Sequence, residues 1–186
     1  MRKITAGLFI SADGVVGSPE QWHLPYFDDE VGAAVGAQVG VAQTLLLGRT
    51  TYDVFAGAWP EREAAGGEDA GFAKALGDMR KVVVSHQDVE LTWRNSEVLK
   101  GDLVAGVTAL KQEEGGTIGM SGSVSVVRQL LAAGLLDELH LFVHPVARGA
   151  GIRLFDGIAD PIELTLLSCR AFARGTVHLV YGPAAA

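Results

Sequence analysis

The sequence has a single cysteine, Cys169, in 186 residues. One thiol cannot build an internal disulfide framework or a cysteine-based zinc cluster. Long apolar runs are missing as well, and no stretch approaches the ~20 residues that a membrane-spanning helix needs. The opening segment MRKITAGLFI has only a short apolar stretch and no cleavage-type continuation, so the expectation is a mature cytoplasmic protein. Basic residues are in the minority, 15 Lys and Arg against 22 Asp and Glu, for a net charge of −7. That balance argues against nucleic acid as the partner. The G-x-G-x-x-G of a Rossmann crossover, the P-loop pattern, internal repeats and low-complexity tracts are also absent.

What is present is an ordinary globular composition, 48% apolar and 20% charged. A chain of this length can bury roughly 70% of its unfolded surface, enough for one core without staples. A single domain over residues 1–186 is expected. The 24 glycines point to tight turns and close backbone approaches. Short apolar runs at Ile4–Ile10, Thr44–Leu47, Lys81–Ser85, Thr117–Met120 and Leu139–Val143 read as buried strands, with Val15 to Gly17 a brief continuation of the first. Helical spacing follows several of them: a segment capped by Asp28 or Asp29, then Thr50–Phe55, Phe72–Leu76, Gly101–Glu114 and Val124–Ala133, with Gly134 as the last C-cap. Glu61 to Asp69, charged and glycine-rich, reads as an exposed loop. After Pro145 the pattern becomes strands alone, Ile162–Ala171 and Thr176–Tyr181 around Arg174-Gly175, and the tail from Pro183 reads as frayed. The fold class is therefore α/β, a mostly parallel twisted sheet flanked by helices with an antiparallel C-terminal edge.

In open α/β sheets ligands bind beyond the carboxyl ends of the strands. Four such ends carry chemistry: Ser11-Ala12-Asp13-Gly14, Gly48-Arg49-Thr50-Thr51, Ser85-His86 and Ser121-Gly122-Ser123. The second and fourth run straight into helices, whose N-termini offer free N–H groups and a positive dipole end to phosphate. Hydroxyls and glycines are also ordinary helix-start residues, so each motif alone is compatible with plain capping. Gly119-Met120-Ser121-Gly122-Ser123 begins like a nucleophile elbow but lacks the final glycine. His140 and His144 lie four strand residues apart, about 13 Å, too far to share one metal ion, and read as surface or subunit-contact residues. The aromatic loop Trp22 to Phe27 reads as a lid over a flat ring or a seal over a helix. Asp13 can meet a ligand or close its own Asx turn.

The stretches ITAGLFISADGVVG, QWHLPYFDDE, TLLLGRTTYDVFAGAWP, KVVVSH and MSGSVSVVRQLLAAGLLDELHLFVHPVARGAGIRLF, with the C-terminal hairpin, resemble the dihydrofolate-reductase-like superfamily. Within it they are most similar to the branch of the reductase domain that ends the bifunctional riboflavin-biosynthesis deaminase–reductase. The resemblance implies an NADPH-dependent reductase, homodimeric, acting on a small pyrimidine- or pteridine-like heterocycle. It implies that Gly48, Arg49 and Thr51 hold cofactor phosphate, with Thr50 beside them. Ser85 and His86 would lie at the adenosine ribose phosphate, and Gly122 and Ser123 along the pyrophosphate with Met120, Ser121 and Val124. Val16 and Gly17 would flank the nicotinamide. The substrate side would draw on Asp13, Trp22, Tyr26, Phe27, Tyr52 and Phe55, with Asp13 the candidate catalytic acid. Two departures stand out. The family's glycine pair is here Gly122-Ser123. The carboxylate that follows W-x-L-P in true dihydrofolate reductases is missing, since Trp22-His23-Leu24-Pro25 leads to Tyr26 and Phe27, and a phenyl ring cannot protonate a pterin. The alternative from another class is a ligand-binding protein on the same fold without turnover.

Overall fold

The computed structural model describes residues 1–184; Ala185 and Ala186, the end of the expected frayed tail, lie outside the described residues. Five helices and eight strands alternate before the chain ends in a hairpin: β1 (Ile4–Ser11), α1 (Asp29–Gly40), β2 (Ala42–Gly48), α2 (Arg49–Ala65), α3 (Ala70–Asp78), β3 (Arg80–Val84), β4 (Ser96–Val98), α4 (Leu103–Gln112), β5 (Thr117–Ser121), α5 (Val124–Ala132), β6 (Glu138–His144), β7 (Leu164–Ala171) and β8 (Val177–Pro183). All strands form one sheet in the order β4-β3-β2-β5-β1-β6-β8-β7. The pairings from β4 across to β6 are parallel, and β8 joins β6 and β7 antiparallel. The five runs read as strands are contiguous and parallel, as the sequence predicts.

Burial on both faces explains why these strands are apolar runs and not alternating ones. On one face, Ile4, Ala6, Leu8 and Ile10 of β1 pack with Val107 and Leu110 of α4 and with Val126, Val127 and Leu130 of α5. On the other, Leu45 and Leu47 of β2 and Val83 of β3 pack with Tyr52 of α2 and Leu76 of α3. Beside them Val31 of α1 covers Phe142 of β6. The start of α1 is fixed by Asp28, whose side chain accepts from the Val31 N–H at 2.9 Å.

Four expectations need correction. Val15 to Gly17 does not extend β1; Val15 makes only an isolated bridge to Arg153. The segment read as a loop from Glu61 is helical to Ala65, because α2 runs through Pro60 into good helix formers. Glu63 there meets Arg94 at 2.7 Å, which anchors the added turn. A three-residue strand, β4, was not legible in Ser96-Glu97-Val98 and exists by pairing with β3. Pro183 is not frayed but pairs with Leu164.

Candidate active site

The connection β1-α1-β2 runs to one side of the sheet order and β5-α5-β6 to the other. The order therefore reverses between β1 and β5, the position where open α/β sheets bind ligands. Here the strands part: β1 and β5 are paired only as far as Gly7 and Ser121, while β1 continues to Ser11 beside β6. The crevice that opens is bordered on β5's other side by β2, whose last residue, Gly48, is also the N-cap of α2.

The two expected phosphate-facing turns are locked together. The Ser123 hydroxyl accepts from the Gly48 N–H at 2.8 Å, and the Ser123 N–H donates to the Thr51 hydroxyl at 2.9 Å. Gly122 and Ser123 both adopt left-handed backbone, at φ 60° and 50°. A side chain at Gly122 would press on Thr51, since a Cβ there lies 3.1 Å from its Oγ1. Both the backbone and this contact favour glycine here; at Ser123 the same backbone costs about 1 kcal/mol, offset by its two hydrogen bonds. The Gly48 and Ser123 N–H groups are thus spent on the interlock and not on a ligand. Neither α2 nor α5 has a side-chain cap on its first turn, so the N–H groups of Arg49, Thr50, Val124 and Ser125 are the ones offered to an anion. Arg49 stands at the start of α2 with its Nε donating to Asp53 at 2.7 and 2.9 Å.

The remaining expected cofactor residues divide. Val16 and Met120 bury their side chains in the core and can offer only backbone. Gly17 donates, with Val16, to the Ile152 carbonyl, and a Cβ on Gly17 would lie 3.3 Å from Ile152. Val124 packs its side chain on the core, whereas Ser121 is exposed at the crevice. Ser85 closes on itself, bonded both ways with Gln87, and His86 is exposed just past the end of β3, next to β2.

On the substrate side two expectations fail. Tyr52 is 1% exposed, and its hydroxyl accepts from the Trp93 N–H at 2.9 Å; it belongs to the core. Asp13 is a fastener rather than an acid. Its carboxylate accepts from the Ser11 hydroxyl at 2.6 Å, the Arg148 N–H at 2.9 Å and the Gly149 N–H at 2.7 Å, with Arg153 at 3.7 Å. The Ser11 hydroxyl first, then these two amides, hold its carboxyl well below the usual carboxylate range, so it has no proton to give near neutrality. Phe55 is partly buried against Trp59.

The loop from Trp22 to Phe27 contains the short 3-10 turn Leu24–Tyr26 and follows another, Pro19–Gln21. Trp22 is 5% exposed and donates from Nε1 to the Gly17 carbonyl at 3.0 Å. Beneath it lies an aromatic layer missed by sequence reasoning. Phe9 stacks on His23 at 4.5 Å and meets Phe27, Phe142 and His144 edge-on. His144 is not a surface residue but fully buried, while His140, on the same face of β6, is partly buried against His178. The period-two spacing of His140, Phe142 and His144 along β6 was the available signal, but the face could not be assigned without the partners of β6.

The chain as a whole is similar to other proteins in sequence and fold. The protein YyaP of Bacillus subtilis (strain 168) is 26% identical over 181 residues, which cover 97% of this chain and 94% of YyaP. A putative riboflavin biosynthesis protein from Shewanella sp. PV-4 superposes with a TM-score of 0.75 at 16% identity, over 100% of both chains. A dihydrofolate reductase from Enterococcus faecalis complexed with NADP(H) does so with a TM-score of 0.62 at 15% identity, over 98% of this chain and 97% of that one. At such identities the two structures share the dihydrofolate-reductase-like fold. Residues 2–178, from the strand before the crevice to the antiparallel edge, match the RibD C-terminal domain, and the chain belongs to that family.

Proposed function

We propose that the chain is an NADPH-dependent reductase of a small, planar pyrimidine- or pteridine-like heterocycle, working as a cytoplasmic homodimer. One observation carries the reading: two uncapped helix starts are pinned side by side at the point where the sheet order reverses, with a guanidinium at one of them. That donor set suits a dinucleotide's phosphates, and the close approach of Gly122 to Thr51 leaves backbone, not side chain, at the crevice. The NADP(H) held by the Enterococcus faecalis neighbour supports the same choice of cofactor. The half-exposed Leu166 and Leu167 on edge strand β7 support self-association.

When bound, the dihydronicotinamide supplies a hydride to an unsaturated carbon of the substrate. The first turns of α2 and α5 would hold the phosphates, and Arg49 would add charge. The Asp13 clasp holds the turn after β1 against residues 148–153, which fixes the backbone of Val16 and Gly17, the residues that would flank the ring. Asp13 stays ionised and Phe27 has no proton, so neither supplies the proton that completes reduction. The missing acid also keeps the second reading, ligand binding without turnover.

Arg49→Ala tests the cofactor site. A charge-assisted bond to phosphate contributes about 1.5–3 kcal/mol, so NADPH affinity should fall roughly 10- to 100-fold in a fluorescence titration at low salt. Unchanged affinity would move the cofactor elsewhere. NADPH oxidation with a panel of pyrimidines and pterins separates the two readings: binding without oxidation across the panel favours the second.

A further inference from the structure

The hydride reaction proposed above makes no use of His144. This residue ends β6, opposite Ser11 of β1, at the same end of the sheet as the crevice. It is 0% exposed. Its Nδ1 lies 2.7 Å from the Phe142 carbonyl oxygen. A carbonyl only accepts, so Nδ1 carries the hydrogen and Nε2 of the neutral ring is a bare acceptor. That Nε2 is buried and has no hydrogen-bond partner among the described residues. Burial also disfavours the imidazolium, so the lone pair persists at neutral pH.

Nε2 sits in a box of rings. Phe9, Trp22, Tyr26 and His23 surround the imidazole at centroid distances of 5.3, 5.5, 5.9 and 6.0 Å. The Nδ1 of His23 is likewise buried without a partner. Two unpaired ring nitrogens in one aromatic box are not what packing selects, because a phenyl ring fills the same space with no polar atom left over. The short turns of residues 19–26 contribute three of its rings, Trp22, His23 and Tyr26. Their hydrogen bonds to the body run from Trp22 to the Gly17 carbonyl at 3.0 Å, from Arg174 to the Pro25 carbonyl at 3.3 Å and from Thr176 to the Tyr26 carbonyl at 3.4 Å, beside the stacking of His23 on Phe9.

We infer that His144 Nε2 is the acceptor with which the site reads its substrate: it takes an N–H or O–H from the edge of a neutral planar heterocycle, admitted as the turns of residues 19–26 lift and flanked by His23. This rests on the reductase reading and adds a specificity to it. A ring whose nitrogens are all alkylated leaves Nε2 unpaired and is rejected. An anionic edge meets a lone pair and is rejected too.

Uracil and 1,3-dimethyluracil are matched probes, one ring with and without N–H donors. In protein labelled with 15N-histidine, uracil should move the His144 Nε2 resonance from its unbonded position toward the hydrogen-bonded one. Dimethyluracil should leave it in place and bind about tenfold or more weakly, the value of one buried hydrogen bond. His144→Phe, checked for folding by thermal unfolding, should weaken uracil to the same extent. No binding of uracil, equal binding of the two probes, or an unmoved Nε2 with uracil bound overturns the inference. An NADPH titration of the same wild-type sample keeps the two ideas apart. Absent NADPH binding with a moved Nε2 removes the reductase reading and leaves His144 as the acceptor for a bound heterocycle. NADPH oxidation with an unmoved Nε2 does the reverse.

Discussion

Ser123 joins the two halves of the site through one hydroxyl and one amide. Its backbone is left-handed at φ 50°, which costs about 1 kcal/mol for a residue with a Cβ. Its hydroxyl satisfies the Gly48 N–H, a donor at the C-terminal end of β2 that would otherwise be partly buried and unpaired. These two effects can be separated. Ser123→Ala keeps the strain and loses the acceptor, so it should lower stability by about 1–2 kcal/mol in urea unfolding. Ser123→Gly also loses the acceptor but relieves the strain, so it should recover about 1 kcal/mol of that loss. Equal stability of the two variants would mean the backbone at 123 is not strained. The sequence showed that hydroxyls, glycines and an arginine gather at the strand ends. It could not show that Ser123 and Gly48 consume each other's hydrogen bonds, because that pairing joins residues 75 apart and depends on β5 lying beside β2.

Among the elements, the turn after β1 and the loop after β6 behave as one piece. Ala12 donates to the Val146 carbonyl, Val16 and Gly17 to the Ile152 carbonyl, and Asp13 takes two amides of the loop. Gly151, at φ 135°, lets the loop pass Val15, since a Cβ there would lie 2.7 Å from Val15 Cγ1. Asp13→Asn removes the charge from the clasp and leaves a weaker acceptor. Amide exchange at Arg148 and Gly149 should then quicken by about tenfold or more, with exchange in β1 and β5 unchanged. Unaltered exchange at those two amides would show that the clasp does not hold the loop. The sequence left Asp13 open between ligand and turn. It gave no sign of Arg148 and Gly149 as partners, because residues 135 and 136 positions away are brought in only by the parallel pairing of β1 with β6. The α2 extension was hidden for another reason. Its last turn is charged and precedes Gly66-Gly67, so polarity pointed to a loop while helix propensity and the Glu63–Arg94 pair decided otherwise.

For the molecule as a whole, the layer under α1 sets the response to acid. Four of the five histidines, His23, His140, His144 and His178, are held neutral mainly by burial. His178 is the extreme case. It lies on Phe142 at 4.3 Å with the rings 6° from parallel, faces His140 at 3.1 Å, and is pushed down to about 4, first by burial, then by His140 and Arg170. In the unfolded chain a histidine takes its proton near pH 6.5. Between about pH 6.5 and 4 the unfolded chain therefore binds more protons than the folded one, so stability falls as pH falls through that window. A displacement from 6.5 to about 4 sets an upper limit near 3 kcal/mol for His178 alone. His23, His140 and His144 act in the same direction. Below that window the carboxylates of Asp13, Asp78 and Glu113, each held down by its hydrogen bonds, add their own loss. Urea unfolding at pH 7.5, 6 and 5 should show a falling midpoint with a little-changed slope against denaturant. His178→Phe keeps the ring stack and removes the titrating group, so its midpoint should fall less steeply over the same range. If wild type and His178→Phe lose stability in parallel, His178 is protonated in the folded protein and the stack on Phe142 does not keep it neutral.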